Sequence, residues 1–223
     1  MMLDHAGLAL FPHMGFLRCI GRLSFPIYCF LLTQGFLHTR SIPGYGRRLL
    51  LTAILSEIPF DLLIFGHVSS GMEQNVLFSL LFGLMALTAA NTCKDNPITA
   101  LLIIITLCMG AMAARVSYGW LGISLCLSAY YAGNSKRFLF LFFSLSLLIY
   151  TLSLHLSGVA QSWVLTSFCA QFSLIPLLLY SGRRGNSSPV LSFLFYAAYP
   201  LHMLTLIALR VMRIIPPNLW GLN

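Results

Sequence analysis

Runs of roughly 17 to 20 mostly apolar residues recur along the whole chain, separated by short clusters of Arg, Lys, Gly, Pro and Asn. That length is what a helix needs to cross a hydrocarbon core of about 30 Å at about 1.5 Å per residue. Composition agrees: 58% of the residues are hydrophobic, 8% are charged, and the mean hydropathy is +0.87, more than a water-soluble domain can hide. The 223 residues are therefore expected to form a single integral membrane domain, an all-α polytopic bundle whose apolar surface faces lipid.

Walking the chain in bilayer-length steps places spans near 1–17, 22–39, 47–66, 73–91, 98–114, 117–133, 137–156, 160–180 and 190–211, about nine helices within a range of roughly eight to ten. The first is short for a crossing, so residues 1–17 are expected to be the remainder of a first helix that starts further upstream. The net charge of +8 would suggest nucleic acid in a soluble protein. Here the Lys and Arg residues sit singly or in pairs at the ends of apolar blocks, where they report topology instead. If the helices alternate, Arg40, Arg47, Arg48, Lys94, Lys136, Arg137, Arg183 and Arg184, eight of the thirteen basic residues, share one face. The connections near 67–72 and 157–159 on the other face carry none. The expectation is a multi-pass protein of the cytoplasmic membrane with its N-terminus inside and its C-terminus outside. Arg18, Arg22, Arg115, Arg210 and Arg213 break the pattern: the last two read as snorkelling helix ends, and Arg22 and Arg115 as functional candidates. The six cysteines show neither metal-ligand spacing nor a pairing pattern and read as small buried hydrophobes.

Ionisable groups within spans are costly and commonly line a cavity or a substrate site. Asp4 and His5 together could supply a general base and a neighbouring charge, or lie in a wet amino-terminal turn. Adjacent helical side chains point about 100° apart, which suits Asp4 to a cation on another helix, such as Arg22 or Arg115. His202, close after Pro200 and near Tyr196 and Tyr199, points to a polar pocket. Glu57 and Asp61 share a helix face across Pro59, as a cation site or, on spacing alone, a structural pair. His38, Thr39, Arg40, Tyr45, Arg47 and Arg48 form a basic patch, suited to topology and lipid headgroups or to the phosphates of a nucleotide-type cofactor. No phosphate loop, nucleophile elbow, dinucleotide fingerprint or zinc-binding motif occurs, and no metal is expected.

Five strings together, "MMLDHAG", "GRLSFPIYCFLLTQGFLHTR", "YGRRLLLTAILSEIPF", "LLLYSGRRG" and "FLFYAAYPLH", resemble the TraX family, whose namesake acetylates the N-terminus of conjugative F-type pilin. The likeness covers most of the chain, and the family is in turn similar to membrane-embedded acyltransferases that use acetyl-CoA. The resemblance implies an Asp-His pair at Asp4 and His5 and an early helix signature at Arg22, Pro26, Gly35, His38, Thr39 and Arg40. It implies further elements at Tyr45, Arg48 and Leu49 and at Ser56 to Asp61, which raises Glu57 to a site candidate, and a last-helix signature at Tyr196, Tyr199, Pro200 and His202. Gln34 and Ser117 stand where the family commonly carries acidic residues.

The expected function is acetyl transfer from acetyl-CoA to an acceptor amine or hydroxyl on a protein, glycan or lipid, with His5, or second to it His202, as the base. Asp4 would set the nearby charge, and Arg40, Arg47 and Arg48, with His38 and Tyr45, would hold the coenzyme's phosphates. Arg22, Arg115, Glu57, Tyr196 and Tyr199 would border the substrate. The alternatives are a small transporter, which commonly shows an internal repeat not found here, and a membrane scaffold with dispensable histidines.

Overall fold

The clusters that separate the apolar blocks are helix-start signals. The computed structural model describes residues 1–68, 72–182 and 188–212, so Arg183, Arg184 and Arg213 lie outside the described residues. The helices are α1 (Met2–Ala9), α2 (Gly15–Arg22), α3 (Ser24–His38), α4 (Ile42–Ile64), α5 (Val76–Thr92), α6 (Pro97–Ala113), α7 (Trp120–Ala132), α8 (Lys136–Leu156), α9 (Gln161–Phe168), α10 (Leu174–Leu179) and α11 (Pro189–Val211), with a 3₁₀ turn at Cys169–Ser173 between α9 and α10. Ser41 caps α4 by accepting from the Gly44 N–H at 3.1 Å, Asn75 caps α5 from Leu77 at 3.0 Å, Asn96 caps α6 from Thr99 at 3.1 Å, and Ser135 caps α8 from Phe138 at 3.4 Å. Each cap satisfies a backbone donor that the first helical turn leaves open, and prolines in the first turns of α4 and α6 have no such donor to satisfy.

The bundle is built around α5 and α7, which approach closely because small residues face each other. A methyl group on Gly83 would meet Cys126 Sγ at 2.6 Å, and one on Gly122 would meet Ser79 Cβ at 3.2 Å; such small-residue contacts drive helix association where no hydrophobic effect operates. Phe25, Leu87, Leu121, Leu125 and Phe143 fill the core. The outer faces of α6 and α8 expose Ile98, Leu101, Leu102, Met109, Leu145 and Leu152, an apolar surface suited to lipid and not to water.

Among the described residues four stretches are long and apolar enough to cross a membrane: Gly15–His38, Lys136–Leu156, Gln161–Leu179 and Phe193–Val211. Three apolar helices, α5, α6 and α7, are shorter, and the expected count of about nine is not reached on length and composition. Residues 1–17 form no single span. Pro12 lies in the turn between α1 and α2, and the two eight-residue helices pack against each other, each only about 12 Å long. Residue 1 therefore sits by Ser24 at the start of α3, its amino group donating to Ser24 Oγ at 2.8 Å. Simple alternation had put it with Arg40 at the other end of that helix. Pro26 falls in the first turn of α3, where its missing N–H costs nothing.

Cys19 on α2 and Cys169 form a disulfide with a Cα–Cα separation of 5.2 Å, correcting the reading of all six cysteines as unpaired. At a sequence separation of 150, no local spacing could signal the bond. Cys29 and Cys126 are free and buried.

Candidate active site

The two ends of the bundle differ in chemistry. One end carries the C-terminus of α3 and the N-termini of α4 and α8; the other carries α1, α2, the C-terminus of α4, and the segments entering α5 and α7.

At the second end a cavity of about 350 Å³ is bordered by Asp4, His5, Arg22, Glu73, Tyr118, Trp163 and Tyr199, among others. His5 is 8% exposed, and its Nδ1 lies 2.8 Å from His202 Nε2. The rings are near-parallel, 12° apart with centroids at 5.1 Å, and meet edge to edge through these nitrogens; His202 Nδ1 is 2.9 Å from the Ala198 carbonyl one turn earlier on α11. Phe60 and Tyr199 stand edge-on to His5 with ring centroids at 6.4 and 6.1 Å. Among the described residues the buried Tyr199 hydroxyl donates to no acceptor, a costly state unless something else uses the donor.

Asp4 does not hold His5. Its Oδ1 lies 3.7 Å from Nε of both Arg18 and Arg22, an ion-pair distance too long for a hydrogen bond. A methyl group on Gly21 would meet the Asp4 Cα at 2.6 Å, so α1 rests directly on the backbone of α2 and only glycine fits there. The Arg18 guanidinium lies over Trp163, 3.8 Å from the ring centroid, a close cation–π contact. Arg22 Nη1 donates to the Tyr118 hydroxyl at 2.7 Å, and Tyr118 stacks on Phe25 at 4.0 Å. Tyr118 holds a positive φ of 63° and Arg115 one of 51°, a conformation that non-glycine residues adopt at a cost and that clusters at functional sites. The turn is held in place because residues 74 and 116 form a parallel bridge, and Ser117 Oγ donates to Glu73 Oε1 at 2.7 Å.

The opposite end holds a cavity of about 390 Å³ bordered by Gln34, His38, Thr39, Tyr45, Arg48 and Tyr180, among others. His38 Nδ1 lies 2.8 Å from the Gln34 carbonyl, and the Arg48 guanidinium is 5.9 Å from the Tyr45 ring centroid. A third cavity, about 370 Å³ and mostly apolar, lies between the two, bordered by Leu49, Leu77, Tyr196 and others. Tyr45 borders both it and the basic cavity, and Tyr199 borders both it and the histidine cavity. Arg48 and Phe60 lie on one helix, α4, about 18 Å apart at 1.5 Å per residue. A train of cavities therefore runs much of the bundle's length.

Of the residues singled out from sequence, Asp4, His5, Arg22, Tyr199 and His202 converge at one end, with His38, Tyr45 and Arg48 at the other and Tyr196 between them. Arg40, Arg47 and Arg115 are exposed and border none of these cavities. Glu57 accepts from the Asn75 side-chain amide and, at 3.3 Å, from its backbone N–H, so it ties α4 to the start of α5. Asp61 is buried beside it on the same helix. Sequence reasoning missed Glu73 and Trp163, which stand in no motif, noted Arg18 only as an exception to the charge pattern, and came near Tyr118 only through its neighbour Ser117. Among the described residues no cluster of His, Cys, Asp or Glu could hold a metal ion.

No solved structure matches the chain. A relative named probable fimbrial assembly protein FimC, serogroup H1, from Dichelobacter nodosus is 28% identical over 229 residues, covering 95% of this chain and 91% of the relative. The family profile described as TraX protein matches residues 1–210, a span that takes in both ends of the cavity train, and the chain is a member of the TraX family.

Proposed function

We propose that this protein is a membrane acetyltransferase that moves the acetyl group of acetyl-CoA to an amine or hydroxyl of an acceptor, and that the acceptor is a pilus-type protein. The observation that carries the reading is the train of cavities joined at Tyr45 and Tyr199, with phosphate-binding chemistry at one end and a histidine pair at the other. The fimbrial name of the relative supports the choice of acceptor, and the family supports the chemistry.

On this reading Arg48, His38 and Thr39 hold the coenzyme's phosphates. Leu49, Leu77 and Tyr196 surround its arm and keep water out. His5 removes a proton from the acceptor nitrogen or oxygen as that atom bonds to the acetyl carbonyl carbon. Tyr199 donates to the carbonyl oxygen while negative charge collects there. The carbon–sulfur bond then breaks, and His5 returns the proton to the departing sulfur, giving free thiol and the acetylated acceptor. No enzyme-bound acetyl group is needed. The basic end faces the cytoplasm, where acetyl-CoA is made, and the histidine end faces the exported side.

The test incubates membranes containing the protein with labelled acetyl-CoA and follows label into protein, glycan and lipid fractions. Label in a protein fraction that vanishes with His5→Ala, at unchanged membrane level, is the expected result. Label confined to lipid or glycan would overturn the choice of acceptor, and no label in any fraction would favour transport or scaffolding.

A further inference from the structure

We infer that His202 is a positioning residue, which fixes the tautomer of His5 so that the bare Nε2 of His5 is the base at the cavity. The inference rests on the acetyl-transfer reading for the meaning of that base, but the geometry stands on its own. A carbonyl oxygen only accepts, so His202 Nδ1, 2.9 Å from the Ala198 oxygen, carries a hydrogen. An uncharged imidazole has one N–H, which leaves His202 Nε2 bare. The contact of 2.8 Å between that nitrogen and His5 Nδ1 then needs its hydrogen on His5. With Nδ1 protonated, the Nε2 of His5 keeps its lone pair.

This proton pattern holds when both rings are uncharged, and their surroundings favour that state. Among the described residues neither ring is hydrogen-bonded to a carboxylate. Asp4 is taken up by Arg18 and Arg22, and Phe60 and Tyr199 pack on His5. A charged His202 would donate from both nitrogens and force the His5 proton onto Nε2, which would then be no base. His202 thus does with a ring nitrogen what a buried carboxylate does for histidine in a hydrolase triad: it selects the tautomer and steadies the imidazolium that forms when His5 takes the acceptor's proton.

The test has two arms on full-length protein in lipid nanodiscs. Nitrogen-15 histidine spectra, which distinguish the two neutral tautomers, are compared for wild type, His202→Phe and His202→Gln; a glutamine can accept from His5 through its oxygen and donate to the Ala198 carbonyl through its amide. Acetyl-transfer rates are measured on the same samples. Wild type and His202→Gln are expected to show His5 protonated at Nδ1. His202→Phe is expected to lose that uniform tautomer and to lower kcat by about 10²-fold or more at unchanged KM for acetyl-CoA, with His202→Gln restoring much of the rate. A wild-type His5 protonated at Nε2, or a fully active His202→Phe, would overturn the inference. No transfer by any variant, with the Nδ1 tautomer present in wild type and lost in His202→Phe, would overturn the acetyl-transfer reading and uphold the relay.

Discussion

Tyr199 carries a hydroxyl hydrogen that no described residue accepts. Placed beside His5 and between two cavities, it is a donor set aside for a substrate oxygen, and removing it separates packing from chemistry. Tyr199→Phe keeps the ring and is expected to lower kcat by about 10²- to 10³-fold, with KM for acetyl-CoA and melting temperature in detergent unchanged; steady-state kinetics on purified protein would check this. Arg48 acts at the other end. Arg48→Glu is expected to raise KM for acetyl-CoA by about tenfold, the scale of one lost charge-assisted hydrogen bond, and to leave kcat intact at saturation. At this scale the sequence was informative where a polar group stood out against lipid-compatible neighbours, as with Asp4, His5 and His202. It was silent on Trp163, because an aromatic residue at a helix end is ordinary in a membrane protein; for Asp4 it offered Arg22, which the ion pair bears out, but not Arg18, whose approach depends on how α1 folds back on α2.

The helices themselves follow from apolar blocks punctuated by Ser41, Asn75, Asn96 and Ser135, and these boundaries were largely legible. The break of the first segment into α1 and α2 was not, since its reward is the long-range contact of α1 with α2, α4 and α11. Where α1 meets α2 the tightest point is Gly21, with Gly7 the next, close to Leu17 and Arg18. Gly21→Val is expected to push α1 off α2 through its clash with Asp4, abolishing transfer while the protein still inserts; cysteines placed at 5 and 202 should then cross-link far less than in an otherwise unchanged chain. The Cys19–Cys169 bond ties α2 to the 3₁₀ turn that follows α9, so it braces the helix carrying Arg18 and Arg22 close to the one carrying Trp163. Cys19→Ser is expected to lower the melting temperature in detergent relative to Cys29→Ser, a change at a buried, unpaired site.

The molecule as a whole is polarised. One end gathers His38 and Arg48; the other gathers the histidine pair and the disulfide, a bond that persists in oxidising compartments. In intact cells a membrane-impermeant thiol reagent, added after an impermeant reductant, is therefore expected to label Cys19 and Cys169, whereas Cys93, near the basic end of α5, should react only once the membrane is opened. The opposite labelling pattern would reverse the orientation. Charge distribution anticipated that basic helix ends gather at one end of the bundle; the expected number of crossings is not reached, because the apolar stretches read as spans near 73–91, 98–114 and 117–133 form the shorter helices α5, α6 and α7.

His5 and His202 meet across 197 residues, and that distance bears on how the protein is made. A chain emerging from the ribosome exposes α1 well before the surfaces it rests on, Phe60 on α4 and then Tyr199 and His202 on α11, which arrive progressively later. The packing around His5 is therefore completed only when α11 is in place, and a nascent or truncated product lacking α11 is without half of its histidine pair, however well the intervening helices are placed.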